Sequence, residues 1–377
     1  MAKVLILSAS TGHGHNQAAK CLKSELEASG YTVSIVEPVK EESKFMEKLV
    51  DDGYQLLASR LPKMYGKLYK ITYHKYVNKG VVTFLNLTLS TTIFQLIQEH
   101  TPDLLIVTHP LFVNVVSLLK ADGKIDLPFI AIVTDYMAHL FYVNKYVDAY
   151  IVGSRYTKDT LTEKGVSADK IYAYGIPIRK EFRQPRREHK DNTFTILLMG
   201  GGMGVPYMRK CLEKLLINKH NFRLLVVCGN NQKLKTSLEN KLAGLTTGGK
   251  EIKIYGFTPN IADLMDESDV IVTKPGGLTV TEAINKNIPI IIPFFIPGQE
   301  EENTEILVRA GLAVRVSDTK ELNQLIDRFV ENPNLLLDMR QRAEELSREL
   351  SPDSIIQLTD RLIFNHKLSR EKNVQLV

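Results

Sequence analysis

The chain of 377 residues is 44% apolar and 24% charged, an ordinary globular composition that excludes a disordered or collagen-like chain and leaves ample material for buried cores. At about 150 residues per domain, the length suggests two domains. The formal charge of +5 reflects 48 Lys and Arg against 43 Asp and Glu, and one segment supplies the whole excess: no acid stands between Asp52 and Glu99, whereas Arg60, Lys63, Lys67, Lys70, Lys75 and Lys79 do.

The first residues, MAKVLILSAS, lack a basic start and a long apolar run, so they read as a strand over 3–8 rather than a leader. In the next loop, STGHGHNQAA over 10–19, glycines let the backbone approach a ligand, and the following helix offers unpaired N–H groups to an anion. Gly12 and Gly14 match the first two glycines of a dinucleotide fingerprint, and Glu37 closes the second strand, 32–37, where a ribose-binding acid would stand. Gln17 replaces the third glycine and speaks against that reading. His13 and His15 occupy the same loop, where an imidazole with its ordinary pKa of about 6.5 suits proton transfer. That role is expected of His15, while His13 is left open between function and helix capping.

The acid-free stretch interleaves its cations with Tyr54, Tyr65, Tyr69, Tyr73, Tyr76, Phe84 and Phe94. On a helical wheel Tyr65, Tyr69, Tyr73 and Tyr76 fall within about 80° of one another, with Lys63, Lys67 and Lys70 opposite. Such a stripe can simply bury its tyrosines. The absence of acids over so long a run favours contact with an anionic bilayer, and nucleic acid ranks behind it because nothing else in the chain resembles a nucleic-acid module. The uncharged run over 80–98 is interrupted by Asn86 and by Ser and Thr, and falls short of a spanning helix.

Further strands read at 103–109, 129–135, 148–154 and 171–175, and their apolar residues on both faces belong in a buried parallel sheet. The polar run RKEFRQPRREHKDN, 179–192, contains Pro185, has no apolar period and reads as a linker. Strands then resume at 194–200, 222–229, 251–255, 270–274, 289–294 and 313–316. Two doubly wound α/β units are the simplest account, with domains at 1–185 and 186–351 and a final helical segment, 352–377, that can return to the first. Cys21, Cys211 and Cys228 are odd in number and lack metal-ligand spacing, which speaks for a reducing, cytoplasmic setting without a disulfide framework or zinc site.

In open α/β sheets the loops beyond strand ends hold ligands. One is MGGGMG, 199–204, whose glycines, Gly201 among them, suit a phosphate or a close contact. The most informative is KPGGLTVTEAINKNIPIIIPFFIPGQEEEN, 274–303. A turn at Gly276 and Gly277 leads into a helix expected to begin near Thr279, whose N–H groups and hydroxyl can hold a diphosphate. Glu282 either closes a capping box with Thr279 or accepts ribose hydroxyls. Gln299, Glu300 and Asn303 suit sugar hydroxyls, while Glu301 and Glu302 complement the helix dipole.

With TGHGH, VTDYMAH (133–139), YGIPIRKEF (174–182) and the KPGGLTVTEA and IPGQEEEN pair, nearly the whole chain resembles the processive diacylglycerol glycosyltransferase and monogalactosyldiacylglycerol synthase family. The resemblance implies a GT-B fold, two Rossmann-like doubly wound domains facing a cleft, the second binding a UDP-hexose and the first diacylglycerol or a glycosyl-diacylglycerol. It further implies the diphosphate at Gly277, Leu278 and Thr279, the ribose at Glu282, the uracil at Gly256 and Phe257, and the sugar at Gln299, Glu300 and Asn303. His15 becomes the base that deprotonates the acceptor, with Asp135 orienting or assisting it. No D-x-D occurs, which fits metal-independent transfer without a cofactor. A single base with no opposing nucleophile implies inversion and a β-glycolipid, made by a peripheral enzyme on the inner face of the cell membrane. A UDP-sugar 2-epimerase and a UDP-sugar-sensing regulatory protein are the alternatives.

Overall fold

The computed structural model describes residues 1–10, 14–42, 62–71, 75–187, 193–201, 207–244 and 247–375. The first half runs β1 (Lys3–Leu7), α1 (Gly14–Ala28), β2 (Thr32–Val36), α2 (Pro38–Glu42), α3 (Pro62–Ile71), α4 (Lys75–His100), β3 (Leu104–Val107), α5 (Pro110–Ala121), β4 (Phe129–Ile132), β5 (Ala149–Ile151), α6 (Arg155–Glu163) and β6 (Ile171–Tyr172). The second runs β7 (Thr195–Met199), α7 (Tyr207–Leu216), β8 (Arg223–Val227), α8 (Gln232–Leu242), β9 (Glu251–Tyr255), α9 (Ile261–Asp266), β10 (Val270–Val272), α10 (Gly277–Asn285), β11 (Ile290–Ile292), α11 (Gln299–Arg309), β12 (Ala313–Arg315), α12 (Thr319–Glu331), α13 (Leu337–Glu349) and α14 (Ser354–Gln375). Every expected strand is present, most of them shorter than expected. The apolar pattern continues past the last ladder residue into the loops, as at Val133 after β4.

The contacts divide the chain into two units. The first comprises Met1–Ile178, Pro297–Gln299 and Glu349–Val377, and the second Arg179–Ile296 and Glu300–Arg348. Each holds a six-stranded parallel sheet, ordered β2-β1-β3-β4-β5-β6 in the first unit and β12-β11-β10-β7-β8-β9 in the second. In each sheet the opening strand lies inside, with later strands added on both sides, so each has one point where the order reverses: between β1 and β3, and between β7 and β10.

Alternation along the strands builds the first unit's two cores. Leu5 and Leu7 face α4 and α5 through Leu89, Ile93, Phe112 and Val116. Val4 and Ile6 face α1 and the terminal helix through Leu22, Leu26, Ile355 and Leu358. The second half of α4 is therefore core material, with Leu89 and Ile93 fully buried. Among the described residues no helix is long and apolar enough to cross a membrane.

The tail belongs to the first unit by its own bonds: Tyr31 bonds to Asp360, and Arg361 donates to the Tyr172 hydroxyl at 2.9 Å. In its described part, 179–187, the expected linker is no free tether but part of the second unit. Phe182 is fully buried there, Arg179 donates to the Pro259 carbonyl at 3.0 Å, and Lys286 donates to the Gln184 carbonyl at 3.2 Å. Cations clamping carbonyls leave no apolar period, which is why the run reads as solvated in the sequence. Burial on α14 yields a test. Leu358→Ala should cost roughly 2–5 kcal/mol, seen as a lower urea midpoint, while Leu368→Ala, on the 37% exposed side, should leave the midpoint unchanged.

Candidate functional site

Both order reversals gather polar and titratable side chains. In the first unit, α1 begins at Gly14, directly after β1's loop, and its second residue is His15; Gly12 and His13 lie outside the described residues. The His15 Nδ1 is 2.7 Å from the carbonyl of Thr108, just past β3, and 2.9 Å from the Thr134 hydroxyl, just past β4. A carbonyl only accepts, so Nδ1 carries the proton and Nε2 keeps its lone pair. Among the described residues Nε2 has no hydrogen-bond partner. Burial pushes the ring's pKa down to about 4, against the raising effect of the Thr108 bond. The arrangement is a neutral imidazole of fixed tautomer with its basic nitrogen available.

A polar net fastens this loop to the sheet. Thr108 donates to the Ser8 hydroxyl at 3.0 Å, Ser8 bonds to Asn16, and Ser10 bonds to Glu37. Burial pushes Glu37 up, but bonds from Lys40 and Ser10 outweigh it and hold the carboxyl below its ordinary range. Glu37 is thereby committed to the loop, which removes the acid a dinucleotide fingerprint would need. Asp135 is buried but makes no hydrogen bond to His15. Instead, after burial itself, it raises the pKa of Tyr142 above the ordinary range. The groups at Nδ1 are Thr108 and Thr134, which spacing alone could not reveal. The signal was their place beyond β3 and β4.

Two further histidines line the same end of this sheet. His109 caps α5, its Nδ1 accepting from Leu111 N–H at 3.3 Å, and its ring meets that of His15 edge-on with centroids 4.4 Å apart. His139 accepts from Phe141 N–H at 3.1 Å, and its ring lies 5.0 Å from that of Tyr69. Burial, then the charge on His15, lowers the pKa of His109, and burial, then Lys164, lowers that of His139 to about 4.

In the second unit, Gly201 follows β7 at φ +72°, in the left-handed region that favours glycine, and a Cβ there would stand 3.4 Å from Lys274 Cε. Gly202–Gly204 of that loop lie outside the described residues. Lys274, just past β10, is ion-paired with Glu300, which also accepts from Ile296 N–H at 2.9 Å. A Cβ on Gly276 would stand 3.4 Å from the same ammonium. The two glycine loops thus converge on one cation that the sequence reading passed over; its signal was a lysine closing a strand ahead of a glycine turn.

α10 starts two residues earlier than expected, at Gly277 with Gly276 as its cap and no side-chain capping bond. Thr279 therefore lies inside the first turn beside Gly277 and Leu278, and no capping box forms with Glu282. Glu282 is half-buried, and burial pushes its carboxyl up to about 8, with Arg179 working against this and Glu181 adding to it. Among the described residues its carboxyl makes no hydrogen bond, which leaves it open to a ligand. Asn303 is fully buried and donates to the Pro275 carbonyl at 3.1 Å, so it braces the glycine turn rather than facing outward. Gln299 opens α11 but is grouped with the first unit. Past β9, Gly256 is followed by Phe257, which is 74% exposed. Among the described residues no three His, Cys, Asp or Glu are gathered to hold a metal.

In the basic aromatic segment α3 covers Pro62–Ile71 and α4 covers Lys75–His100, and Tyr73 lies outside the described residues. Lys67 and Lys70 are exposed as expected. Tyr69 instead turns inward, against His139, and a Cβ on Gly298 would come within 2.8 Å of its ring. Lys63, Tyr65 and Tyr76 lie on these helices, but their side chains are outside the described set.

The family model for monogalactosyldiacylglycerol synthase matches residues 15–178, and that for the glycosyltransferase family 28 C-terminal domain matches 195–358. A processive diacylglycerol β-glucosyltransferase of Bacillus pumilus is 30% identical over 363 residues, covering 94% of both chains. The chain belongs to the processive diacylglycerol glycosyltransferase family. The B. licheniformis and B. subtilis relatives of the same description are 30% and 29% identical, over 95% and 94% of this chain and 94% of their own lengths. Among solved structures, Acinetobacter baumannii MurG superposes with a TM-score of 0.67 at 17% identity, covering 96% of this chain and all of its own. Anabaena HepE does so at 0.55 and 13%, covering 97% and 100%. These likenesses give the fold, which is GT-B.

The histidines of this family member predict an acid limit to stability. Their folded pKa values lie below the unfolded value of about 6.5, so on acidification the unfolded chain binds protons first. The stability these rings allow is whole above about pH 6.5 and is lost as pH falls toward 4. Guanidinium midpoints should hold from pH 8 to 7 and drop by pH 5, with a smaller drop in His139→Asn, whose amide still caps its turn.

Proposed function

We propose that this chain transfers a hexosyl group from a UDP-sugar to diacylglycerol or a glycosyl-diacylglycerol, with inversion, to give a β-glycolipid. The observation that carries the reading is the near full-length similarity to diacylglycerol β-glucosyltransferases, joined to a neutral His15 whose Nε2 is available. In the step, the acceptor hydroxyl oxygen bonds to the anomeric carbon, the bond from that carbon to the diphosphate oxygen breaks, and His15 Nε2 takes the hydroxyl proton. The N–H groups of Gly277, Leu278 and Thr279 and the Lys274 ammonium take up the charge on the leaving UDP. Glu282 meets the ribose, and Gly256 and Phe257 meet the base. Glu300 meets the sugar once the diphosphate draws on Lys274, and Gln299 joins it there. Neither metal nor cofactor is required. The relatives' names favour glucose over galactose.

The assay is incubation with UDP-glucose or UDP-galactose and diacylglycerol. Glycolipid is expected, whereas a 2-epimerase would alter the donor alone and a sensing protein would turn over nothing. His15→Ala should lose at least about a hundredfold in transfer while keeping UDP affinity; wild-type turnover would remove His15 from the step.

The acceptor lies in a membrane, and the exposed Lys67 and Lys70 on α3 support docking of this peripheral, cytoplasmic enzyme on an anionic inner leaflet. Binding to phosphatidylglycerol vesicles is expected at low salt and should weaken several-fold in Lys67→Glu/Lys70→Glu. Equal sedimentation of the two proteins would locate the membrane contact elsewhere.

A further inference from the structure

We propose that His109 is a positioning residue for His15, holding its imidazole desolvated and in the orientation that leaves Nε2 basic. The inference rests on the reading of His15 as the base. Among the described residues, three elements close around the His15 ring. The ends of β3 and β4 supply the Thr108 carbonyl and the Thr134 hydroxyl, both at Nδ1. The start of α5 supplies the His109 ring, edge-on at 4.4 Å with an interplanar angle of 70°. Of these groups His109 alone is titratable; Asp135, next to Thr134, makes no bond to the ring.

His109 is itself held neutral by geometry. Its Nδ1 accepts the Leu111 N–H at the cap of α5, so the proton is on Nε2 and Nδ1 cannot also carry one without losing the cap. A proton there would also place positive charge at the positive end of a helix and beside His15. The ring is buried, with Phe112 5.7 Å from it on its own helix. It therefore fills the space beside His15 without charge, where water would otherwise solvate an imidazolium. Capping α5 requires only a short acceptor such as Asn, Ser or Asp. An imidazole does that and also adds a flat wall.

Two substitutions separate these roles. His109→Asn keeps a capping oxygen and removes the wall, while His109→Phe keeps a wall and removes the cap. If His109 positions His15, the Asn variant should show the His15 ring titrating higher by about one pH unit or more by NMR. The acidic limb of its kcat/KM profile should move up in step, with an unfolding midpoint near wild type. The Phe variant should titrate like wild type at His15 and be less stable. A His15 titration in the Asn variant that stays at the wild-type value overturns the proposal and leaves His109 as a cap. Because the titration is read without substrate, this result stands even if the assay removes His15 from the chemistry.

Discussion

Parallel pairing of β1 with β3, and of β7 with β10, is the constraint on which the rest depends. Where two adjacent strands send their connections to opposite sides, the loops part and leave a crevice at the strand ends. The register then decides which side chains meet there. Leu7 faces Val107 across the pair, so the next residues out, Ser8 and Thr108, stand together and share a hydrogen bond. Thr108 can then present its carbonyl to His15. Leu198 faces Val272 in the other sheet, which leaves Gly201 and Lys274 beyond the same edge. A slip of one residue would turn each strand's side chains to the opposite face and unmake both arrangements.

Much of this was legible because buried parallel strands are apolar on both faces. Val4 and Leu5 point into different cores, and no polar residue interrupts the run to blur it. Gly201 was legible for a related reason, since its left-handed backbone favours glycine. What was hidden depended on partners distant in sequence. The tautomer of His15 is set by Thr108, 93 residues away, and the Lys274 to Glu300 pair spans 26. The start of α10 was misplaced by two residues because Thr279 and Glu282 have capping-box spacing, whereas Gly276 caps without a side chain. Beside Asp135, its neighbour Thr134 is the residue whose hydroxyl stands 2.9 Å from His15 Nδ1.

The acid-free segment shows how a composition signal and a periodicity signal part company. Composition survives the folding: Lys67 and Lys70 stand in solvent. The wheel is met only in part, because Tyr73 lies outside the described residues and the side chains of Lys63, Tyr65 and Tyr76 do too. Tyr69 takes the bland alternative and packs on His139, and the apolar half of α4 lies on the sheet. A membrane contact built from the described part of this segment would therefore rest on Lys67 and Lys70 rather than on Tyr69.

The two sites share an electrostatic logic. His15 is pushed down to about 4 and Glu282 up to about 8, so near pH 7 both are uncharged, and in both cases burial is the first cause. For a base, neutrality at rest is the condition for accepting a proton as the new bond forms. For Glu282 the benefit is different. Under the proposed donor site, a carboxylate next to a diphosphate would repel it, while a protonated carboxyl adds no charge and both donates and accepts, which would match a ribose hydroxyl. The paired charges of Lys274 and Glu300 cancel within the same site. A diphosphate arriving there would meet helix N–H groups and an ammonium without an unbalanced anion, and its own charge would be what redistributes the pair.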